Sequence, residues 1–212
     1  MANEPRSRPG ARAIQKEATG KAVLEAAREE FERVGFEVAN LRTIAARAGV
    51  SAGTVIHHYG DKRGLLHAAL FDDLEKTLRR AVSELGTGSL ETQLSRLTRA
   101  VFRYYQQRPK LSRTLLKESL FADEPWAQRF NAQVQGVHGA IVAQVAEASA
   151  RGELRPVDGS VLALAYLSFF YFALISWMQG GHGSPVEMVD HLVHQHLEGL
   201  RPDEKSARRR NR

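Results

Sequence analysis

The chain has 212 residues, 43% hydrophobic and 25% charged, with a formal net charge of +6 and no cysteine. That balance suits a soluble globular protein of one large or two smaller domains, and the missing thiols exclude disulfides, thiol redox chemistry, cysteine nucleophiles and cysteine-ligated zinc. Residues 1–64 carry a charge balance of +3, residues 65–200 one of −1 and residues 201–212 one of +4, so the positive charge that attracts a polyanion through counterion release lies at the two ends.

Residues 1–15, opening MANEPRSRPG, hold no apolar signal core and are expected to form a disordered basic arm on a cytoplasmic protein. A first helix is predicted from about Lys16 to Val34, with Val23, Leu24, Ala27, Phe31 and Val34 on one stripe and Gly35-Phe36 at its end. Two short helical patterns follow, Leu41 to Ala48 and Ala52 to Tyr59, separated by Gly49-Val50-Ser51. This is the spacing of a helix-turn-helix, whose second helix enters the DNA major groove. Ala45 is small enough for the helices to cross closely, and Gly49 can take the positive φ of a tight turn. Ile44, Val50 and Val55 form an apolar plug. Ser51 is placed to cap the second helix by accepting from its free N–H groups. Ala52, Gly53, Thr54, His57 and His58 are left on or near the outward face, His57 expected outward and His58 turned toward the first helix.

A fourth helix is predicted to start after Tyr59-Gly60-Asp61-Lys62, capped by Asp61, with Leu65, Leu66, Ala69, Leu70 and Leu74 inward. Helices are then expected at about residues 90–107, 110–121, 124–151, 159–179 and 185–200, punctuated by glycine and proline. No segment sustains period-two alternation, so the fold class is all-α. The domains expected are a helix-turn-helix head over 16–62, a helical ligand-binding and dimerisation body over 63–200, and a disordered basic tail over 201–212. Val161 to Met178 contains no charge and is at the lower limit for a membrane span. Its serines and tyrosines and the lack of a basic flank favour burial on all sides instead, against its own body and a second subunit. Val186, Val189, Leu192, Val193, His196, Leu197 and Leu200 add a second apolar stripe. The expectation is therefore a homodimer through the last two helices and no membrane partner.

Over about residues 16–72, which include AVLEAAREEFERVGFEVANLRTIAARAGVSAGTVIHHYGDKRGLLHAAL, the chain resembles the TetR/AcrR family of bacterial transcriptional regulators. Over the body the likeness is architectural only. The resemblance implies an all-helical homodimer that binds a palindromic double-stranded DNA operator, usually as a repressor. It also implies a cavity in each body whose occupation separates the heads. Asn40 then matches a cap that also contacts phosphate, and Arg42 and Thr43 lie near the DNA backbone. Ser51, Ala52, Gly53, Thr54 and His57 match contacts to bases and phosphates, and Lys62 matches a phosphate-contacting lysine. Ile56 departs from the family, which usually has a tyrosine there whose hydroxyl contacts phosphate. Tyr59 replaces a more usual phenylalanine.

The implied cavity lies among the fifth to eighth helices, and a hydrophobic small-molecule effector is expected. Candidate linings are Phe102, Tyr105, Leu116, Phe121, Trp126, Phe130, Tyr166 and Phe170, with Glu118 and His138 as polar handles. His191, His194 and His196 lack a completing carboxylate one turn away, so no metal is expected, and no cofactor either. There is no glycine-rich phosphate loop, no H-E-x-x-H and no G-x-S-x-G after a strand, so an enzyme is not expected. Two other readings remain open: a constitutive architectural DNA binder without a ligand, and a helical enzyme or carrier with an appended helix-turn-helix.

Overall fold

The computed structural model describes residues 11–120, 123–181 and 183–202, and among them nine α-helices and no strand. These are α1 (Ala11–Val34), α2 (Leu41–Arg47), α3 (Ala52–Tyr59), α4 (Lys62–Ser83), α5 (Leu90–Gln107), α6 (Pro109–Leu120), α7 (Trp126–Ala150), α8 (Gly159–Met178) and α9 (Pro185–Glu198). α1 begins five residues before the predicted start. The run Ala11-Arg12-Ala13-Ile14-Gln15 contains good helix formers and no breaker, so nothing stops the helix short of Gly10. The rest of the expected arm, residues 1–10, lies outside the described residues, as do residues 203–212 of the tail.

The chain forms two compact units that divide between Asp72 and Asp73, inside α4 rather than at its start. The boundary is late because Leu65, Leu66, Ala69, Leu70 and Phe71 are buried with the first unit's helices. Val23, Ala27, Phe31, Ile44, Ala45 and Val55 complete that core. Each large apolar side chain buried there contributes about 1.5–3 kcal/mol. Two buried charges are satisfied locally. Arg28 donates from Nε to the Ala69 carbonyl at 2.7 Å, and Glu30 accepts from Arg33 at 2.9 Å with Arg47 at 3.8 Å.

In the second unit α7 packs on α8, and α5 and α8 both pack on α9. Leu90, Leu94, Leu97, Val101 and Tyr105 are the inner stripe of α5. Its N-terminus is held twice: Ser89 accepts from the Thr92 N–H at 3.2 Å, and Glu153 accepts from the Leu90 N–H at 3.0 Å. Burial pushes the Glu153 carboxyl up, but this backbone donor and Arg151 outweigh it and leave the group below its ordinary range. Buried polar groups pair across the helices. The Tyr166 hydroxyl lies 3.0 Å from Thr98 Oγ1, and Ser95 donates to Asp190 at 2.9 Å.

α8 is the one helix among the described residues long and apolar enough to cross a membrane, and 39% of its most apolar window is buried within the chain. Leu162, Ala163, Tyr166, Phe170, Ala173, Leu174 and Met178 face inward. Val161, Leu164, Phe172 and Ile175 form an exposed stripe, with Phe172 63% accessible. The predicted burial on all sides is therefore half met within one chain.

A candidate DNA-reading head and an apolar cavity in the body

The helix-turn-helix is assembled by short-range bonds. Asn40 Oδ1 accepts from the Arg42 N–H at 2.8 Å, which caps α2, and Ser51 Oγ accepts from the Thr54 N–H at 3.0 Å, which caps α3. Gly49 supplies a φ of 69° in the turn, where a Cβ would be strained. The Val50 N–H donates to the Ala45 carbonyl at 3.0 Å and closes the turn. Ile44, Ala45 and Val55 are buried at the helix crossing, and Val50 is half-buried. At the far end of α3, Asp61 Oδ1 accepts from the Gly64 N–H at 2.7 Å and caps α4. A Cβ at Gly64 would overlap the Tyr59 carbonyl oxygen, so only glycine lets α3 end against the first turn of α4.

This frame leaves Asn40, Arg42, Thr43, Ser51, Gly53, His57 and His58 exposed, and Ala52, Thr54 and Lys62 half-buried. His58 is not turned inward. Its ring stands edge-on to His57 with centroids 5.3 Å apart. Tyr59, one residue on, takes the half-buried place instead. Burial raises the Tyr59 phenol, reinforced by Asp72 and opposed by Arg28. Lys62 is already engaged. Its ammonium donates to the Glu37 carbonyl at 2.9 Å and the Ala39 carbonyl at 3.2 Å, and it lies 4.8 Å from the Phe36 ring centroid. It pins the segment that leads into α2, a role its place in the motif did not reveal.

In the second unit α4, α5, α7 and α8 line a cavity of about 50 Å³. Of the ten residues expected there, Tyr105, Phe130, Tyr166 and Phe170 line it. Leu74 and Leu78 from α4, Leu97 and Val101 from α5, and Gln133, Val134 and Val137 from α7 were not anticipated, nor were Leu167 and Tyr171 from α8. The signal in α5 was present: Leu97, Val101 and Tyr105 recur every four residues, one face of a helix. Five expected residues lie elsewhere. Phe102 is wholly buried and packs its ring 4.8 Å from that of Phe170. Leu116 is buried in α6, and Glu118 on the same helix does not reach the cavity. Trp126 sits at the α7 N-terminus with the Arg129 guanidinium 5.3 Å from its ring. His138 Nε2 lies 3.2 Å from Ser160 Oγ. Phe121 lies outside the described residues.

No charged side chain lines the cavity. Burial raises all three of its phenols. Tyr171 is pushed up to about 12. Tyr166 goes higher, against the lowering effect of its Thr98 bond, and Tyr105 is also well above its ordinary value, with Tyr171 and Tyr104 adding to the effect. All three are neutral at pH 7. A groove of about 440 Å³ shares Leu78, Gln133 and Val137 with the cavity. At its rim Glu75 holds Arg79 at 2.6 Å and Arg129 at 3.5 Å.

Two of the three histidines of α9 lie against protein groups. His194 Nδ1 lies 2.9 Å from Glu91, and the His196 ring stands 5.8 Å from that of Phe169. Among the described residues no three histidines, aspartates or glutamates gather as a metal site would require.

A capped helix pair with an exposed second helix, joined to a helical body with an uncharged cavity, defines a helix-turn-helix protein. Residues 23–69 match the model of the bacterial regulatory proteins, tetR family. The Escherichia coli regulator UidR is 38% identical over 58 residues, which are 27% of this chain and 30% of UidR, so the chain spans under a third of that relative. Two solved structures extend the likeness in fold. A Saccharomonospora viridis protein in complex with choline is 20% identical at a TM-score of 0.69, covering 87% of this chain and 97% of that one. The transcriptional regulator FadR from Bacillus subtilis, in complex with stearoyl-CoA, is 16% identical at a TM-score of 0.68, covering 85% and 98%. Residues 23–69 therefore carry a tetR-type DNA-binding segment, and the rest of the chain resembles these regulators in fold.

Proposed function

We propose that the protein is a cytoplasmic, ligand-responsive repressor that binds a palindromic operator as a homodimer and is released by a hydrophobic small molecule. Arg42, Thr43 and Asn40 hold the DNA backbone in this reading, while α3 presents Gly53, Thr54 and His57 to the base edges. The exposed stripe of Val161, Leu164, Phe172 and Ile175 on α8 supports a second copy as the partner, because a contiguous apolar face on a soluble protein marks an interaction surface. Two recognition helices in successive major grooves then stand about 34–36 Å apart.

The observation that carries ligand control is the cavity. The two ligand-bound proteins of this fold hold chemically unlike molecules, choline and stearoyl-CoA, so the fold does not name an effector and the lining must. Thirteen residues with no charge among them, five of them aromatic, suit an uncharged apolar molecule with one or two groups for the tyrosine hydroxyls. A volume of about 50 Å³ is far below the roughly 300–1,000 Å³ of ligand sites. Occupation must therefore expand the packing of α4, α5, α7 and α8, which makes the ligand select a different body conformation. Leu74 and Leu78 place α4 in that wall, and α4 is the helix proposed to carry the movement.

The test is binding to duplex DNA from upstream of the protein's own gene, against a shuffled duplex, at two salt concentrations, followed by titration with apolar compounds. A selective dimeric complex is expected at near-physiological salt, with one compound and the operator weakening each other's binding by the same factor. Binding that is equal on both duplexes and on sequences selected from random DNA would leave only an architectural DNA binder.

A further inference from the structure

We infer that Ile56 makes the recognition helix a reader of thymine methyl groups, an inference that rests on the operator reading above. Successive α3 residues turn by about 100°, and Val55, buried, fixes which way the helix faces. Opposite Val55 lie Gly53 and His57. Ala52, Gly53 and Ile56 then form one flank of the outward face, and Thr54, His57 and His58 the other. The second flank carries the hydrogen-bonding groups, and part of that capacity is already used, since Thr54 Oγ1 lies 2.9 Å from Ser51 Oγ. The first flank has no polar side-chain atom.

Ile56 is the one side chain on that flank with reach, and it is 50% exposed. An isoleucine this accessible in the middle of a short helix contributes little to the core of its own unit. It cannot donate or accept, so it cannot read the donor and acceptor pattern of the groove or bind phosphate. The feature of the major groove that an apolar branched side chain does distinguish is the C5 methyl of thymine. Glycine at position 53 and alanine at position 52 keep the neighbouring surface low, which lets the isoleucine approach a base edge. The family's tyrosine at this place spends the same position on the DNA backbone. Here the position is turned to sequence.

The experiment is selection of binding sites from a random duplex library with the full chain, followed by replacement of each selected thymine with deoxyuridine, which lacks only the methyl. A fixed thymine in each half-site is expected where uracil weakens binding about four-fold, the effect of one buried methyl-sized group. Ile56→Ala, folded to the same helical content, should bind the thymine and uracil duplexes equally. A selected sequence with no uracil-sensitive position, or a uracil loss that persists in Ile56→Ala, would overturn this inference and leave the operator reading intact. Failure to enrich any sequence would overturn both.

Discussion

The head and the body are built on different scales. In the head, the caps that set the helix ends lie within a few residues of one another, Asn40 with Arg42, Ser51 with Thr54 and Asp61 with Gly64, and longer ties such as Lys62 to Glu37 and Arg28 to Ala69 brace them. In the body, the decisive partners are distant in sequence, such as Thr98 with Tyr166 and Ser95 with Asp190. A site made of local contacts can be read from spacing alone. A site made by four helices that meet cannot.

High pH should separate the two regions most strongly. Tyr105, Tyr166 and Tyr171 have raised pKa values in the folded body, the last near 12, against an ordinary value of 10.0. The stabilising effect of keeping them protonated is full below pH 10 and is lost as pH rises through the folded values, because the unfolded chain releases those protons first. Tyrosinate absorbance should therefore appear together with loss of body helicity above pH 10. Ionisation of all five tyrosines near 10 with no unfolding would contradict their burial.

Next in size, Ile44→Ala should destabilise the head by about 2–5 kcal/mol and abolish DNA binding while the body's thermal transition stays in place. One merged transition, shifted as a whole, would show that the units do not melt separately. Phe172→Glu should act from the other side. It places charge on the exposed α8 stripe, yields a monomer in sedimentation, and lowers operator affinity about 100-fold by removing the linkage between half-sites. A stable dimer with this substitution would move the interface elsewhere. The smallest effect is expected for Lys62→Ala. Loss of the bonds to Glu37 and Ala39 should cost the head about 1 kcal/mol, and a flattening of the salt slope by about one unit would show that the ammonium also neutralises a phosphate. An unchanged slope with a lowered head Tm would make Lys62 purely a positioning residue.

The same contrast explains what the sequence made legible. The Ser51 and Asp61 caps, the Gly49 turn and the bounds of α3 and α5 follow from residue type and spacing, and the structure has them where the sequence placed them; the Asn40 cap is the one the family resemblance implies. His58 is expected inward, yet its ring is exposed beside that of His57 and Tyr59 takes the half-buried place. In the body, the aromatic residues signalled burial without saying on which side of a helix a space would remain. Phe102 and Phe170 are both buried phenylalanines in contact, and only Phe170 touches the cavity. Leu74 and Val137 do so although nothing distinguishes them in sequence from other core residues. The gap is set by how four helices fail to fill the space between them, which no single helix encodes.

The recognition helix is fixed at both ends, by the Ser51 cap at its start and by the turn to Gly64 at its finish, and from beneath by Val55. None of these anchors is Gly53, Ile56 or His57. Gly53, Ile56 and His57 can therefore be exchanged without refolding the frame that carries them. New DNA preferences are reachable by single substitutions, each passing through a protein that still folds, so a duplicated copy of this chain could drift to different sequences while the cavity in its body stayed unchanged.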